Sequence, residues 1–304
     1  GNGWASGYLY PGATYPFGMV QFTPTYFTKQ LGFVINQLSG AGCDHMGNFP
    51  TLPIAGALRV SPDSILNMQT PVGKEIGTAG YYAATVDHSI RAELTVTERT
   101  GMARYTFSSK EKQGTVIIGG GVAATSIQVA AIKITGPHSC EGYAEGGAFC
   151  GIPTPYKVYF VAEFDADAES FGTWKEERLH ANHTFAEGSH SGVYFTFPLK
   201  EGNQAVQYKI GVSYVSVENA RENLRVENPA WDFSAVRQAT QDKWNEYLGK
   251  IEVEGDNEDR QMQFYTHLYR SLIHPNVCSD VNGEYMGADS QVPVSYTHLT
   301  LPTK

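Results

Sequence analysis

Glycine and proline clusters cut the first 219 residues into short pieces, and this punctuation constrains the fold more than any other feature. The clusters include Gly119-Gly120-Gly121, Gly136-Pro137, Gly146-Gly147, Pro153-Thr154-Pro155 and Glu201-Gly202-Asn203. Proline fixes φ and removes a donor, while glycine admits φ > 0, so each cluster reads as a turn. Between them lie short β-branched and aromatic runs, at 105–107, 115–118, 157–164 and 193–197. The runs at 92–97 and 206–214 alternate apolar and polar, as half-buried strands do. Many short strands without intervening helices predict an antiparallel β-sandwich.

Composition agrees. A length of 304 residues points to about two domains. Charged residues make up only 17%, against 32 Gly, 18 Tyr and 15 Phe, which favours a turn-rich β protein over a helical bundle. A net charge of −9 argues against a general nucleic-acid binder, which needs a basic face. No apolar run approaches the roughly 20 residues that span a bilayer. The chain opens Gly1-Asn2-Gly3 without a leader pattern, so a removed leader and a truncated piece are both open. Cys43, Cys140, Cys150 and Cys278 show no zinc spacing. Cys140 and Cys150 flank a glycine-rich stretch and are placed to pair, but free, partly buried thiols are the reading preferred here.

After residue 219 the period changes. Phe233, Val236, Thr240, Trp244, Tyr247, Leu248 and Ile251 recur at helical spacing, with Asp232 placed to cap the start. A short strand is expected at 251–254. A second helix is expected from Asn257, with Glu258 and Asp259 in its first turn, Met262, Tyr265, Leu268, Tyr269 and Leu272 on one face, and Pro275 as its stop. Residues 290–304 depart from this pattern. The run VSYTHLTLPT back-translates to a transposon mosaic end joined to a sequencing adapter, so these residues are set aside as a tail. The expected division is a β-sandwich over 1–230, a linker helix and the start of a second domain over 231–289, and the tail.

Two glycine-bracketed loops stand close together near the start: YPGATYPFGMVQ at 10–21 and QLSGAGCDHMGNFP at 37–50. Aromatics between such glycines make flat, hydroxyl-bearing surfaces suited to sugars, and equally make ordinary turns. Leu9-Tyr10-Pro11-Gly12-Ala13, the PFGMVQ run and Leu38-Ser39-Gly40-Ala41-Gly42-Cys43 resemble the opening of glycoside hydrolase family 92, the calcium-dependent exo-acting α-mannosidases. The resemblance continues through Ala79-Gly80-Tyr81-Tyr82, Thr97-Glu98-Arg99-Thr100-Gly101 and the run at 157–164. It is strongest at 211–220 and 265–285, and covers essentially residues 1–288.

The resemblance implies a supersandwich-type β-sandwich joined by helices to an (α/α)6 catalytic barrel, most of which lies outside this chain. It implies inverting hydrolysis of terminal α-linked mannose on N-glycans or mannan, outside the cytoplasm: secreted, periplasmic or at the cell surface. One carboxylic acid protonates the leaving oxygen and a second carboxylate activates water. A calcium ion holding O2 and O3 of the sugar helps to distort the ring. The acid, the base and the calcium ligands are expected in the barrel, so no catalytic residue is assigned here. The sandwich loops would line the pocket, which makes Tyr10, Gly12, Ser39, Gly40 and His45 the candidate substrate-binding residues. For His45 a loop-stabilising hydrogen bond is the competing reading. The segment at 25–33 is shorter than the Trp-rich insertion of many members, which leaves linkage preference open.

The remaining acidic residues have structural readings. Glu258 and Asp259 favour the helix dipole, and Glu252 and Glu254 face solvent. Asp280-Val281-Asn282-Gly283-Glu284-Tyr285 lacks EF-hand spacing, and Asn282-Gly283 within it reads as a type I′ turn between short strands. His267 and His274 are seven residues apart, too far to share a metal, so packing or capping is expected. Two alternatives stand beside the mannosidase: a non-catalytic carbohydrate-binding sandwich, and another glycosidase or phosphorylase of the same architecture. The partners expected are mannose-containing glycans and the rest of the (α/α)6 domain, with no nucleic acid and no membrane span.

Overall fold

A computed structural model of the chain describes residue 9 and residues 11–24, 32–39, 45–63, 72–87, 89–123, 125–149, 151–201, 204–255, 257–274 and 277–294. Within these the strands form two sheets, paired antiparallel throughout. One has eight strands in the spatial order β1 (Ala13–Thr14), β2 (Gln21–Pro24), β3 (Phe33–Val34), β4 (Thr51–Ala55), β9 (Gln113–Gly119), β16 (Ser191–Pro198), β13 (Ser170–Lys175) and β14 (Arg178–Ala181). The other has nine: β15 (Phe185–Glu187), β10 (Ile127–Gly136), β11 (Ser139–Phe149), β12 (Ile152–Phe164), β17 (Ala205–Ser213), β8 (Thr100–Thr106), β7 (Ile90–Val96), β6 (Tyr81–Val86) and β5 (Val72–Thr78). The expected sandwich is present.

The core lies between the sheets. Phe22, Phe33, Tyr82, Tyr105, Phe160, Trp174, Phe195 and Tyr208 are its largest buried side chains. Strand β7 shows how alternation builds it. Ile90, Ala92, Leu94 and Val96 point inward, and Arg91 and Glu93 point out. Thr95 breaks the alternation by being buried on the outer side, where its hydroxyl donates to the Gly80 carbonyl at 2.9 Å. Cys140 is a free, fully buried thiol of this core, as preferred above; Cys43 and Cys150 lie outside the described residues.

Three helices attach to the nine-stranded sheet or extend from it. Helix α1, Val217–Glu227, has no counterpart in the sequence reading. It lays Ala220 and Leu224 on Val161, and Gly211 permits the close approach, since a Cβ there would stand 2.9 Å from Leu224 Cβ. Helix α2, Phe233–Leu248, is capped by Asp232, whose carboxylate accepts from the Ala235 N–H at 2.9 Å, as the sequence predicts. Phe233 joins Tyr81, Ala83 and Met102 in a second small core. Trp244 is fully buried, and its indole N–H donates to the Thr14 carbonyl at 2.7 Å. Helix α3, Glu258–Leu272, is capped by Asn257 and buries none of its own residues. It stops at Leu272 with Ile273 as its cap; Pro275 lies outside the described residues.

Two local expectations are corrected. Residues 251–254 form no strand. Side chains of α3 take up their backbone groups instead: Tyr265 OH bonds the Ile251 carbonyl at 3.1 Å and the Val253 N–H at 3.3 Å. Asn282-Gly283 is not the centre of a type I′ turn, because Asn282 lacks the positive φ that such a turn needs at both central residues. Gly283 alone has it, at 85°, and its N–H donates to the Asp280 carbonyl at 2.9 Å. This is a type I turn closed by a glycine bulge. Beyond it Glu284 bridges Val294, so residues 290–294 fold back as a hairpin, and 295–304 lie outside the described residues.

Candidate functional site

The first loop folds for a reason that its sequence carries. The Gly18 N–H donates to the Tyr15 carbonyl at 3.0 Å across Pro16 and Phe17. Pro16 supplies the fixed φ and Phe17 sits at φ 56°, the pattern of a type II turn without the usual glycine. The turn presents the Phe17 backbone to the end of α3. Its N–H donates to the Leu272 carbonyl at 2.8 Å, and its carbonyl accepts from the Val277 N–H at 3.1 Å. The Phe17 ring meets Tyr247 of α2 edge-on at 5.9 Å. Gly12 is buried against Thr23 and the Phe22 carbonyl, 2.9 Å from where a Cβ would stand. It also lines a groove of 590 Å³ with Thr78, Met262, Tyr265 and Tyr269. Tyr269 closes one side of that groove on Trp244, with ring centroids 4.5 Å apart. Tyr10 lies outside the described residues.

The second loop is held by amides. Asn36 and Asn48 exchange two hydrogen bonds, at 3.0 and 2.6 Å, and Tyr156 OH donates to Asn48 Oδ1 at 2.7 Å. These bonds hold a strained segment, since Met46, Gly47 and Phe49 all have positive φ. Such strain recurs at ligand-binding loops and persists only where neighbours enforce it. Ser39 is buried, and its N–H donates to Gln21 Oε1 at 3.2 Å. Its hydroxyl has no hydrogen-bond partner among the described residues. Gln21 turns its amide nitrogen to the Ile273 carbonyl, so one side chain joins β2, the Ser39 turn and the end of α3. Gly40 lies outside the described residues.

His45 is 9% exposed, edge-on to Tyr156 at 5.9 Å and bonded to the Ala148 backbone. Burial lowers its pKa and the Ala148 bond opposes this, which leaves a ring biased toward the neutral form. Between this loop and the chain after α3 lies a cavity of 340 Å³, lined by Gln21, Gln37, Met46, Tyr156, Cys278 and Met286 among others. Ser39 and His45 thus stand behind the cavity rather than in its lining, while Gly12 belongs to the neighbouring groove.

Among the described residues no acidic side chain lines either concavity. A third, of 440 Å³, does hold Glu163, Asp165 and Asp167. Asp165 is taken by the Gln207 backbone and side-chain N–H groups, Asp167 by His138 at 2.7 Å, and Glu163 faces Lys209 in the β12–β17 ladder. Among the described residues no three His, Cys, Asp or Glu side chains gather to hold a metal ion.

The sequence reading missed three residues that build the junction: Gln21, Asp280 and Arg99. Arg99 pairs with Glu227 at 2.7 Å and donates to the Ser279 carbonyl at 2.6 Å. The only signal for Gln21 was a polar residue inside the apolar run Met19-Val20-Gln21-Phe22.

Comparison with known proteins follows this geometry. The family model for the glycosyl hydrolase family 92 N-terminal domain matches residues 1–213, and that for the family 92 catalytic domain matches 219–301. An uncharacterized secreted glycosidase of Arthroderma benhamiae is 28% identical over 91% of this chain and 40% of its own length. The family 92 α-mannosidase BT3965 of Bacteroides thetaiotaomicron superposes with a TM-score of 0.84 at 23% identity, over 94% of this chain and 42% of that one. The inverting mannosidase BT2199 of the same organism gives 0.76 at 22% identity, over 93% and 38%. The chain therefore spans about two fifths of the length of the proteins it matches.

Proposed function

Because the chain belongs to glycosyl hydrolase family 92, we propose that it is the front part of a secreted exo-acting α-mannosidase. In this reading the sandwich supplies one wall of the pocket for a terminal mannose, on N-glycans or mannan. The rest of the catalytic domain supplies the inverting acid and base, one carboxylic acid on the leaving oxygen and one carboxylate on water.

The observation that supports this best is the junction itself. The two loops that carry the candidate residues bond directly to the end of α3, through Phe17 and Gln21. A pocket built there has a sandwich wall and a helical wall. Its sandwich part is the cavity beside Gln37 and Tyr156, backed by Ser39 and His45, with the groove at Gly12 next to it. Tyr10 and Gly40 belong to the same two loops in the sequence. The mannoimidazole complex of BT3965 supports a mannose-like ligand for this fold. A stand-alone sugar-binding sandwich is less well supported, because α3 would then keep Met262 two-thirds exposed beside a groove lined by Tyr265 and Tyr269.

Calcium enters the proposal as an ion whose ligands are expected in the rest of the catalytic domain. The test is expression of the full-length parent and assay on an aryl α-mannoside. Turnover with release of β-mannose, abolished by EDTA and restored by calcium, is the expected result. A folded parent that hydrolyses aryl α-glucosides and not α-mannosides would overturn it.

A further inference from the structure

Asp280 follows α3 by eight residues, yet it is 2% exposed. Three donors close on its carboxylate. Ser213 Oγ reaches Oδ2 at 2.7 Å, Asn219 Nδ2 reaches Oδ2 at 2.8 Å, and Asn223 Nδ2 reaches Oδ1 at 2.6 Å. The backbone follows, as the Val281 N–H donates to Asn223 Oδ1 at 2.9 Å. None of the ion pairs among the described residues involves Asp280. Its charge is answered by amides, a hydroxyl and the positive end of α1, whose first two turns carry Asn219 and Asn223.

The donors and the acceptor come from different parts of the molecule. Ser213 ends β17 and the two asparagines ride on α1, packed against the sandwich. Asp280 belongs to the chain that leaves α3. On either side of it in sequence, Val277, Cys278 and Met286 form one wall of the 340 Å³ cavity, and Gln21, Gln37 and Tyr156 lie across from them. We infer that Asp280 is a positioning residue: it latches the chain after α3 onto α1 and so fixes the wall of the substrate cavity that faces the sandwich loops. The latch stands on its own geometry; its effect on substrate rests on the mannosidase reading.

Asp280→Asn in the full-length protein tests this. The amide turns an N–H₂ toward donors that need an acceptor, so the latch loosens while side-chain volume is kept. Two readouts are taken on folded protein. The first is native-state hydrogen exchange of the backbone amides at 277–286, read by mass spectrometry, because the Val281 N–H is itself bonded to Asn223. The second is the split between KM and kcat on an aryl α-mannoside. The variant is expected to exchange these amides several-fold faster and to raise KM roughly ten-fold with a smaller change in kcat. Ser213→Ala removes one donor of the three and is expected to move both readouts the same way by less; it carries the test if Asp280→Asn does not fold.

Val193→Ala, a cavity in the distant core of β16, is the control for lost stability and should move neither readout. A folded latch variant with wild-type amide exchange and wild-type KM overturns the inference, and so does a control that moves both readouts equally. If the wild-type parent shows no α-mannosidase activity, the functional reading fails, and the amide exchange rate alone decides the latch.

Discussion

At the scale of single residues, burial separates what the sequence showed from what it hid. His45 was visible because a histidine between glycines invites a role, and its surroundings now give it one with a pH signature. The unfolded ring titrates near 6.5, and burial lowers that value in the fold. A histidine with a lowered folded pKa favours the native state fully above its unfolded pKa, and that advantage is lost as pH falls below it. Unfolding free energy is therefore expected to decline as the medium is taken below pH 6.5, and His45→Phe should lose that part of the decline. Urea titrations of both proteins at a series of pH values check it; parallel curves would mean that His45 stays uncoupled from folding. Gln21 was hidden for the opposite reason. A glutamine in a strand usually faces water, and nothing local marks one that turns inward to bond Ser39 and Ile273. Asp280 was read as a turn residue, which it is, but its three partners are 57 to 67 residues away.

Whole elements followed the strength of their periodicity. Strands with clean alternation, such as β7 and β17, appeared where expected. Helix α2 did too, because its apolar spacing and its Asp232 cap agree. Helix α1 was missed because it is short and mostly polar, with only Val217, Ala220 and Leu224 facing the sheet and Val226 left exposed. Its cap was present in the sequence all the same, since Ser216 accepts from the Asn219 N–H at 3.0 Å. The run at 251–254 has strand composition but no partner strand, and tertiary context overrode the propensity. Helix α2 is also where the sandwich and the helical part are fastened. Trp244 is fully buried and bonded to Thr14, Thr240 bonds the Val96 carbonyl, and Gly80 leaves room for Thr240 Cγ2, 2.5 Å from where a Cβ would stand. Trp244→Ala should therefore cost about 3–5 kcal/mol, in line with other large aromatic truncations. Thermal and urea unfolding measure the loss. A change below about 1 kcal/mol would show that α2 is fastened elsewhere.

At the scale of the molecule, the two ends of the α2–α3 region are treated differently. The face of α2 toward the sandwich is closed, while α3 buries no residue and leaves Met262 two-thirds exposed beside a 590 Å³ groove. In a chain that covers about two fifths of its relatives, this face is the natural seat for the helices that follow in the family's catalytic domain. The functional reading turns that geometry into a paired expectation. The 304-residue chain alone should fold its sandwich, bind a hydrophobic dye at the α3 groove and turn over no α-mannoside. The full-length parent should bind less dye per sandwich and be active. Dye fluorescence and an aryl α-mannoside assay, run on both proteins at equal concentration, separate the possibilities. Turnover by the short chain would place acid and base within it and overturn the division of labour. Equal dye binding by both proteins would mean that the catalytic helices do not cover α3, and the pocket wall would then have to be sought on another face of the sandwich.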